Sequence, residues 1–131
     1  MTLAQLKAEI DAADGDLRLT YQLNRRGESI RLIIRCKNRS VPEAWAMAML
    51  YQNVRFDCID FHQTDYRDAD GTRRLGWHRD LRENDRTIQK VCLASFKPAT
   101  LDQFIVEALA LFNIILSPGD EDANGQLHLG S

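Results

Sequence analysis

The apolar positions change period along the chain, and each change marks an element. Behind Thr2, a residue type that caps helices, Leu3, Leu6, Ile10 and Ala13 recur at helical spacing until Gly15. The period then drops to two, with Leu17, Leu19, Tyr21 and Leu23 on one side and Arg18, Thr20 and Gln22 on the other, which predicts a half-buried strand. After Arg25-Arg26-Gly27-Glu28 the alternation resumes at Ile30, Leu32, Ile34 and Cys36. A four-residue loop pairing Asn24 with Ser29 sets Leu23 opposite Ile30 and Leu19 opposite Ile34, so the apolar faces of this hairpin match.

Residues 42–51 carry helix-forming composition behind Pro42, yet Trp45, Met47, Met49 and Tyr51 alternate, and the alternation predicts a strand. Gln52-Asn53 leads into a further strand from Val54 to Tyr66. Ala69-Asp70-Gly71 fits a three-residue hairpin loop closed by Asp68 and Thr72, with a return strand from Arg73 to about Leu81. The short apolar run Val91–Phe96 suits either a strand or a helical turn. Thr100-Leu101-Asp102-Gln103 has the form of a capping box, and Leu101, Phe104, Ile105, Ala108, Leu109 and Phe112 form one stripe of a helix expected to run through Leu116. Val106, Leu111 and Ile114 widen that stripe, which predicts either a deep core position or self-association through this helix. The expected fold class is α+β: an antiparallel meander of about five strands flanked by an N-terminal and a C-terminal helix. Residues 1–117 form a single domain in this reading, and the acidic, glycine-containing residues 118–131 form a tail.

Composition narrows the class. The chain has 131 residues, 44% of them apolar and 27% charged, with a net charge of -2, which suits one globular domain and gives no overall field toward nucleic acid or anionic lipid. The start lacks the pattern of a signal peptide, and the run Phe104–Leu116 is too short for a membrane span, so a cytoplasmic protein without membrane contact is expected. Cys36, Cys58 and Cys92 are far apart and lie in apolar runs, the pattern of buried thiols rather than of zinc or redox pairs.

Candidate chemistry is concentrated in the 60–80 hairpin. With Asp68 opposite Thr72, His62 is expected to face His78, and Asp60 to face Asp80, all on one side. Two imidazoles and two carboxylates suit a divalent metal or a general acid–base pair, whereas the alternative is an ordinary solvated sheet face. No tight ligand motif of the zinc type is present, so neither a metal nor another cofactor is expected. Val54, Phe56 and Cys58 share the parity of Asp60, which predicts a sheet covered on both faces near its middle.

The segment "VRFDCID", followed by a glycine-led "GWHRD", then an apolar run and a capped helix, resembles the small toxin family TumE over about residues 45–115. Arg55 and Asp60 match that family's "R-x-x-x-x-D" strand, and Gly76, His78 and Arg79 match its "G-x-H-R-H"-like segment. Asp80 stands where the pattern has histidine. The resemblance implies the toxin of a toxin–antitoxin system, acting on RNA or nucleotides and held by an antitoxin partner.

The first hairpin presents a second surface, with Arg18 opposite Arg35, Gln22 opposite Arg31, and Lys37, Arg39, Arg25 and Arg26 near the ends. Arg18, Arg31, Arg35 and Lys37 are candidates for binding an anion such as a phosphate backbone or an acidic protein. No aromatics are interleaved with them, so base stacking is not expected. Two functions of different class remain open: a small toxin-like enzyme with Asp60, His62, His78 and Asp80 as acid–base candidates and Arg79 for phosphate, and a non-catalytic protein-binding module, dimeric through its C-terminal helix.

Overall fold

In the computed structural model, which describes residues 2–13, 16–25, 28–68, 70–115 and 127–129, the alternating segments pair in chain order. β1 (Leu17–Arg25), β2 (Glu28–Cys36), β3 (Trp45–Tyr51), β4 (Val54–Arg67), β5 (Arg73–Arg82) and β6 (Ile88–Cys92) form an antiparallel meander. The β1–β2 register is Leu23 to Ile30 and Leu19 to Ile34, as the matching of apolar faces requires. Residues 42–51 divide: Pro42–Ala44 make one turn of 3₁₀ helix and β3 follows, burying Trp45, Met47 and Met49. Gln52 and Asn53 turn the chain with φ of 51° and 64°, the two successive positive angles of a tight two-residue hairpin.

Three features depart from the sequence expectation. The run after Asn84-Asp85 is the sixth strand, reached through a loop in which the Asn84 side chain accepts from the Arg86 and Thr87 amides. Residues 127–129, inside the expected tail, form β8 (Leu127–Leu129), parallel to β1 and paired on its other edge with β7 (Ile114–Ile115). Leu127-His128-Leu129 has the alternation of a strand, and β1 offers it an unpaired edge. The residues of the expected tail before and after β8 lie outside the described residues. The last helix, α2, spans Leu101–Leu111 rather than reaching Leu116, because Asn113 adopts φ 58° just past the Phe112 cap. Asparagine tolerates that left-handed geometry, which turns the chain out of the helix and into β7.

α1 (Leu3–Ala12) carries a full capping box between Thr2 and Gln5, and Arg39 donates to the carbonyls of Ile10 and Ala13 at its far end. At α2, Thr100 accepts from the Gln103 amide at 3.1 Å, but the Gln103 carboxamide reaches the Ala99 amide rather than that of Thr100. Leu6 and Ile10 of α1 and Leu101, Phe104, Ile105, Ala108 and Leu109 of α2 join Leu17, Leu23, Leu32, Ile34, Met47, Ile59 and Trp77 in one core. Both helices therefore cover the same face of the sheet, and among the described residues the other face is open. Trp77 stacks on Phe104 at 5.2 Å, with Trp45, Phe96 and Phe61 around them, which fixes α2 over β3–β5. The packed stripe leaves Val106, Leu111 and Ile115 exposed. No helix among the described residues is long and apolar enough to cross a membrane.

The expectation of a sheet covered on both faces does not hold. A bulge opposite Met49/Leu50 rotates Phe56 onto the helix-side core, and Val54 is exposed. On the open face Ile33, Cys58, Tyr66 and His78 are buried among their neighbours, with no helix of the described residues over them.

Candidate functional site on the open sheet face

The β4–β5 hairpin closes as its turn residues dictate, with the Asp68 amide bonded to the Thr72 carbonyl and Gly71 at φ 84°. Ala69 lies outside the described residues. Near the turn Arg67 faces Arg73 and Tyr66 faces Arg74, the expected register. Between His62 and Tyr66, however, β4 takes four steps while β5 takes two, from Gly76 to Arg74. Beyond that bulge Asp60 faces His78, Cys58 faces Asp80 and His62 faces Gly76, so the expected His62–His78 and Asp60–Asp80 pairings are displaced by two residues. Gly76, at φ 101°, supplies the backbone angle that the irregularity requires. A glycine inside a strand pattern was the sequence signal for it.

An even displacement keeps each side chain on its face, so the histidines and acids still cluster, around His78 as the centre. His78 is fully buried on the open face. The bulge folds Tyr66 back over it, and the His62, Tyr66 and His78 rings form a triangle with centroids 4.1 to 4.8 Å apart. His78 Nε2 lies 2.9 Å from Asp60 Oδ1 and 3.4 Å from Asp80 Oδ1. Neither oxygen lies along the N–H direction, and neither ring nitrogen has a hydrogen-bond partner; the contacts are coulombic, with the ring's bonding capacity unspent. Lys90 completes the cluster, 3.2 Å from the same Asp80 oxygen.

These neighbours set the protonation states. Burial disfavours a charged His78, but Asp60 and Asp80 outweigh it and lift its pKa to about 9. Burial, the adjoining His78 and Lys90 push His62 below its ordinary value. For Asp80, burial works against the carboxylate, yet His78 and Lys90 hold its pKa below the usual range. Near neutral pH the cluster therefore presents a neutral, partly exposed His62 packed at a tilt against a buried imidazolium. Burial, and then the neighbouring Cys92, raise the Tyr66 phenol; the thiol perturbs that hydroxyl without meeting hydrogen-bond geometry. Cys58 is pushed up to about 12 by burial and by Asp60, which leaves it a protonated, inert thiol.

Arg79 does not belong to this cluster. As a neighbour of His78 in a strand it points to the helix side, where it donates to both oxygens of buried Asp57 at 2.9 and 2.6 Å. Its guanidinium sits 5.5 Å from the Phe112 ring centroid, so it ties β5 to the end of α2. Trp77 and Arg79 thus anchor the backbone on either side of His78 into the core, which holds the imidazole in place.

Arg18, Arg31 and Arg35 are exposed, and the β1–β2 register sets Arg18 against Arg35 and Gln22 against Arg31. Arg31 donates to the Asn53 side chain. Lys37 is exposed just past the end of β2; Arg26 lies outside the described residues. A shallow depression of about 180 Å³ joins the basic end to the acid–histidine end, lined by Arg18, Arg35, Ala46, Ala48, Arg55 and Asp60. Sequence reasoning did not single out Tyr66, Lys90 or Asp57, because a bulge roofs His78 with Tyr66, a sixth strand brings Lys90, and Arg79 reaches Asp57 only across the β4–β5 ladder. Comparison of the chain with known protein families, with characterised proteins and with solved structures finds no match.

Proposed function

We propose that the protein is a small toxin-like protein that takes RNA or a nucleotide across the open face of its sheet and acts on it at His62. One observation carries this reading: the arginine row and the acid–histidine cluster share one face, with a depression lined by Arg18, Arg35, Arg55 and Asp60 between them. Phosphates lie on Arg18, Arg35 and Arg55, where like charges held side by side are relieved by an anion. The small side chains of Ala46 and Ala48 let a chain approach the sheet closely. His62 is neutral and reachable, the state of a general base that takes a proton from an attacking hydroxyl. His78 acts through His62 as a positioning residue, since its ring is closed off from substrate.

Fluorescence anisotropy with single-stranded RNA tests the binding half. Arg18→Glu with Arg35→Glu should leave the circular dichroism spectrum intact and abolish binding, while Arg18→Gln with Arg35→Gln should weaken it and flatten the salt slope by about 1.4, at about 0.7 per single-strand phosphate. Binding that survives this double reversal refutes the reading. His62→Ala should keep RNA affinity and lose about 10²–10⁴-fold in turnover, and should relieve growth arrest when the protein is expressed.

A second reading, a protein-binding module that self-associates through α2, draws on the exposed Val106, Leu111 and Ile115 beside the packed stripe. Light scattering at high micromolar concentration decides it: a dimer that Val106→Asp dissociates supports it, and a monomer removes it.

A further inference from the structure

His78 and Asp60 present an anomaly that neither reading above uses. Both His78 nitrogens and Asp60 Oδ1 are shielded from solvent and have no hydrogen-bond partner. A buried polar atom left unpaired costs about 1–3 kcal/mol, so His78 Nε2 and Asp60 Oδ1, which face each other at 2.9 Å, call for a partner that both can share. A water or a neutral donor would satisfy one or two of them. A metal cation satisfies the oxygen and, by displacing the imidazolium proton, the nitrogen lone pair together.

We propose that Asp60, His78 and Asp80 form a binding site for a divalent transition cation of the Mn²⁺ or Zn²⁺ class. The ligand atoms lie within 4.8 Å of one another. From Nε2 the two oxygens stand at 2.9 and 3.4 Å. Bonds of about 2.1 Å to one ion would put adjacent ligands about 3.0 Å apart in an octahedron and about 3.4 Å apart in a tetrahedron. The two separations from Nε2 are therefore those of ligands on a common ion, while the carboxylate oxygens, within 4.8 Å of each other, must come to about 4.2 Å or less. Asp60 is 38% exposed and its carboxylate can rotate to close the set, while His78 is fixed by its anchored neighbours. The donor set chooses the class of metal: imidazole nitrogen with two carboxylates suits Mn²⁺, Fe²⁺ or Zn²⁺, whereas Mg²⁺ and Ca²⁺ favour oxygen throughout. Three protein ligands leave coordination positions for water or a substrate oxygen.

One resident group competes. The Lys90 ammonium already pairs with Asp80 Oδ1 at 3.2 Å, and its side chain is 35% exposed and free to swing away. A metal must displace it, so Lys90 weakens the site by acting as a built-in counterion.

The test uses the full chain stripped with EDTA and titrated with Mn²⁺, followed by electron paramagnetic resonance of the free ion and by calorimetry with Zn²⁺. The expected result is saturable binding of one ion, with the His78 ring proton signals the first to broaden under Mn²⁺. Asp60→Asn, at a partly exposed position, should stay folded and bind at least tenfold more weakly. Lys90→Met should bind several-fold more tightly. Absence of saturable binding of both ions overturns the proposal, and so does binding that Asp60→Asn and Asp80→Asn leave unchanged, which would place the ion elsewhere. These readouts need no RNA and no turnover, so the site can fail while the phosphate reading stands, or the reverse.

Discussion

His78 supplies the sharpest stability prediction. In the unfolded chain its imidazole titrates near the ordinary 6.5; in the fold Asp60 and Asp80 raise it to about 9 against the opposing effect of burial. The folded state thus binds the proton more tightly, and the resulting stabilisation is complete below pH 6.5 and lost as pH rises through about 9. The gap between those values, at about 1.36 kcal/mol for each tenfold change in proton affinity, corresponds to about 3 kcal/mol. That is a large fraction of the total stability of a domain this size. Urea unfolding of the wild type and of His78→Gln at pH 6 and pH 9.5, with EDTA present to exclude metal, isolates it: the difference between the two proteins cancels the titration of other groups. The advantage of the wild type should shrink by about 3 kcal/mol between the two pH values. Proton NMR of the ring should place the His78 midpoint near 9 and that of His62 below 6.5. A wild-type advantage that is constant with pH, or a His78 midpoint below 6.5, would show that the acids do not govern this imidazole.

Three further substitutions test the framework around the site by urea denaturation. Asp57→Ala strands the Arg79 guanidinium against Phe112 and should cost about 3 kcal/mol, whereas Asp57→Leu with Arg79→Met should cost much less; equal losses would deny the coupling. Gly76→Ala should cost about 1–2 kcal/mol from the left-handed backbone alone, because the added Cβ would meet only Phe61 Cε2 at 3.8 Å; a neutral result would mean the bulge does not need that angle. Thr100→Ala should lose about 1 kcal/mol with the cap of α2, and an unchanged midpoint would show that the Gln103–Ala99 bond suffices.

Alternation and helical spacing determined what each segment becomes and which side chains share a face. The β1–β2 register, the strand at 45–51 and the buried stripe of α2 follow from them, since burying one face of a strand or helix leaves little freedom in the choice. By the same parity alone, His62, His78, Asp60 and Asp80 belong to one side of the sheet. Arg79, next to His78, belonged to the other side; only the motif resemblance had drawn it into the cluster. Tertiary structure decided what alternation cannot encode. The bulge at 63–65 makes Asp60 rather than His62 the partner of His78, and it returns Tyr66 to roof the imidazole. β6 delivers Lys90 to Asp80, and the bulge opposite Met49/Leu50 turns Phe56 toward the helices. Bulges shift a ladder by local backbone angles and long-range packing, neither of which disturbs the apolar count along the chain. The face of the site was therefore written in the pattern of residues, while its burial, its charge and its unsatisfied nitrogens arise only where three strands meet.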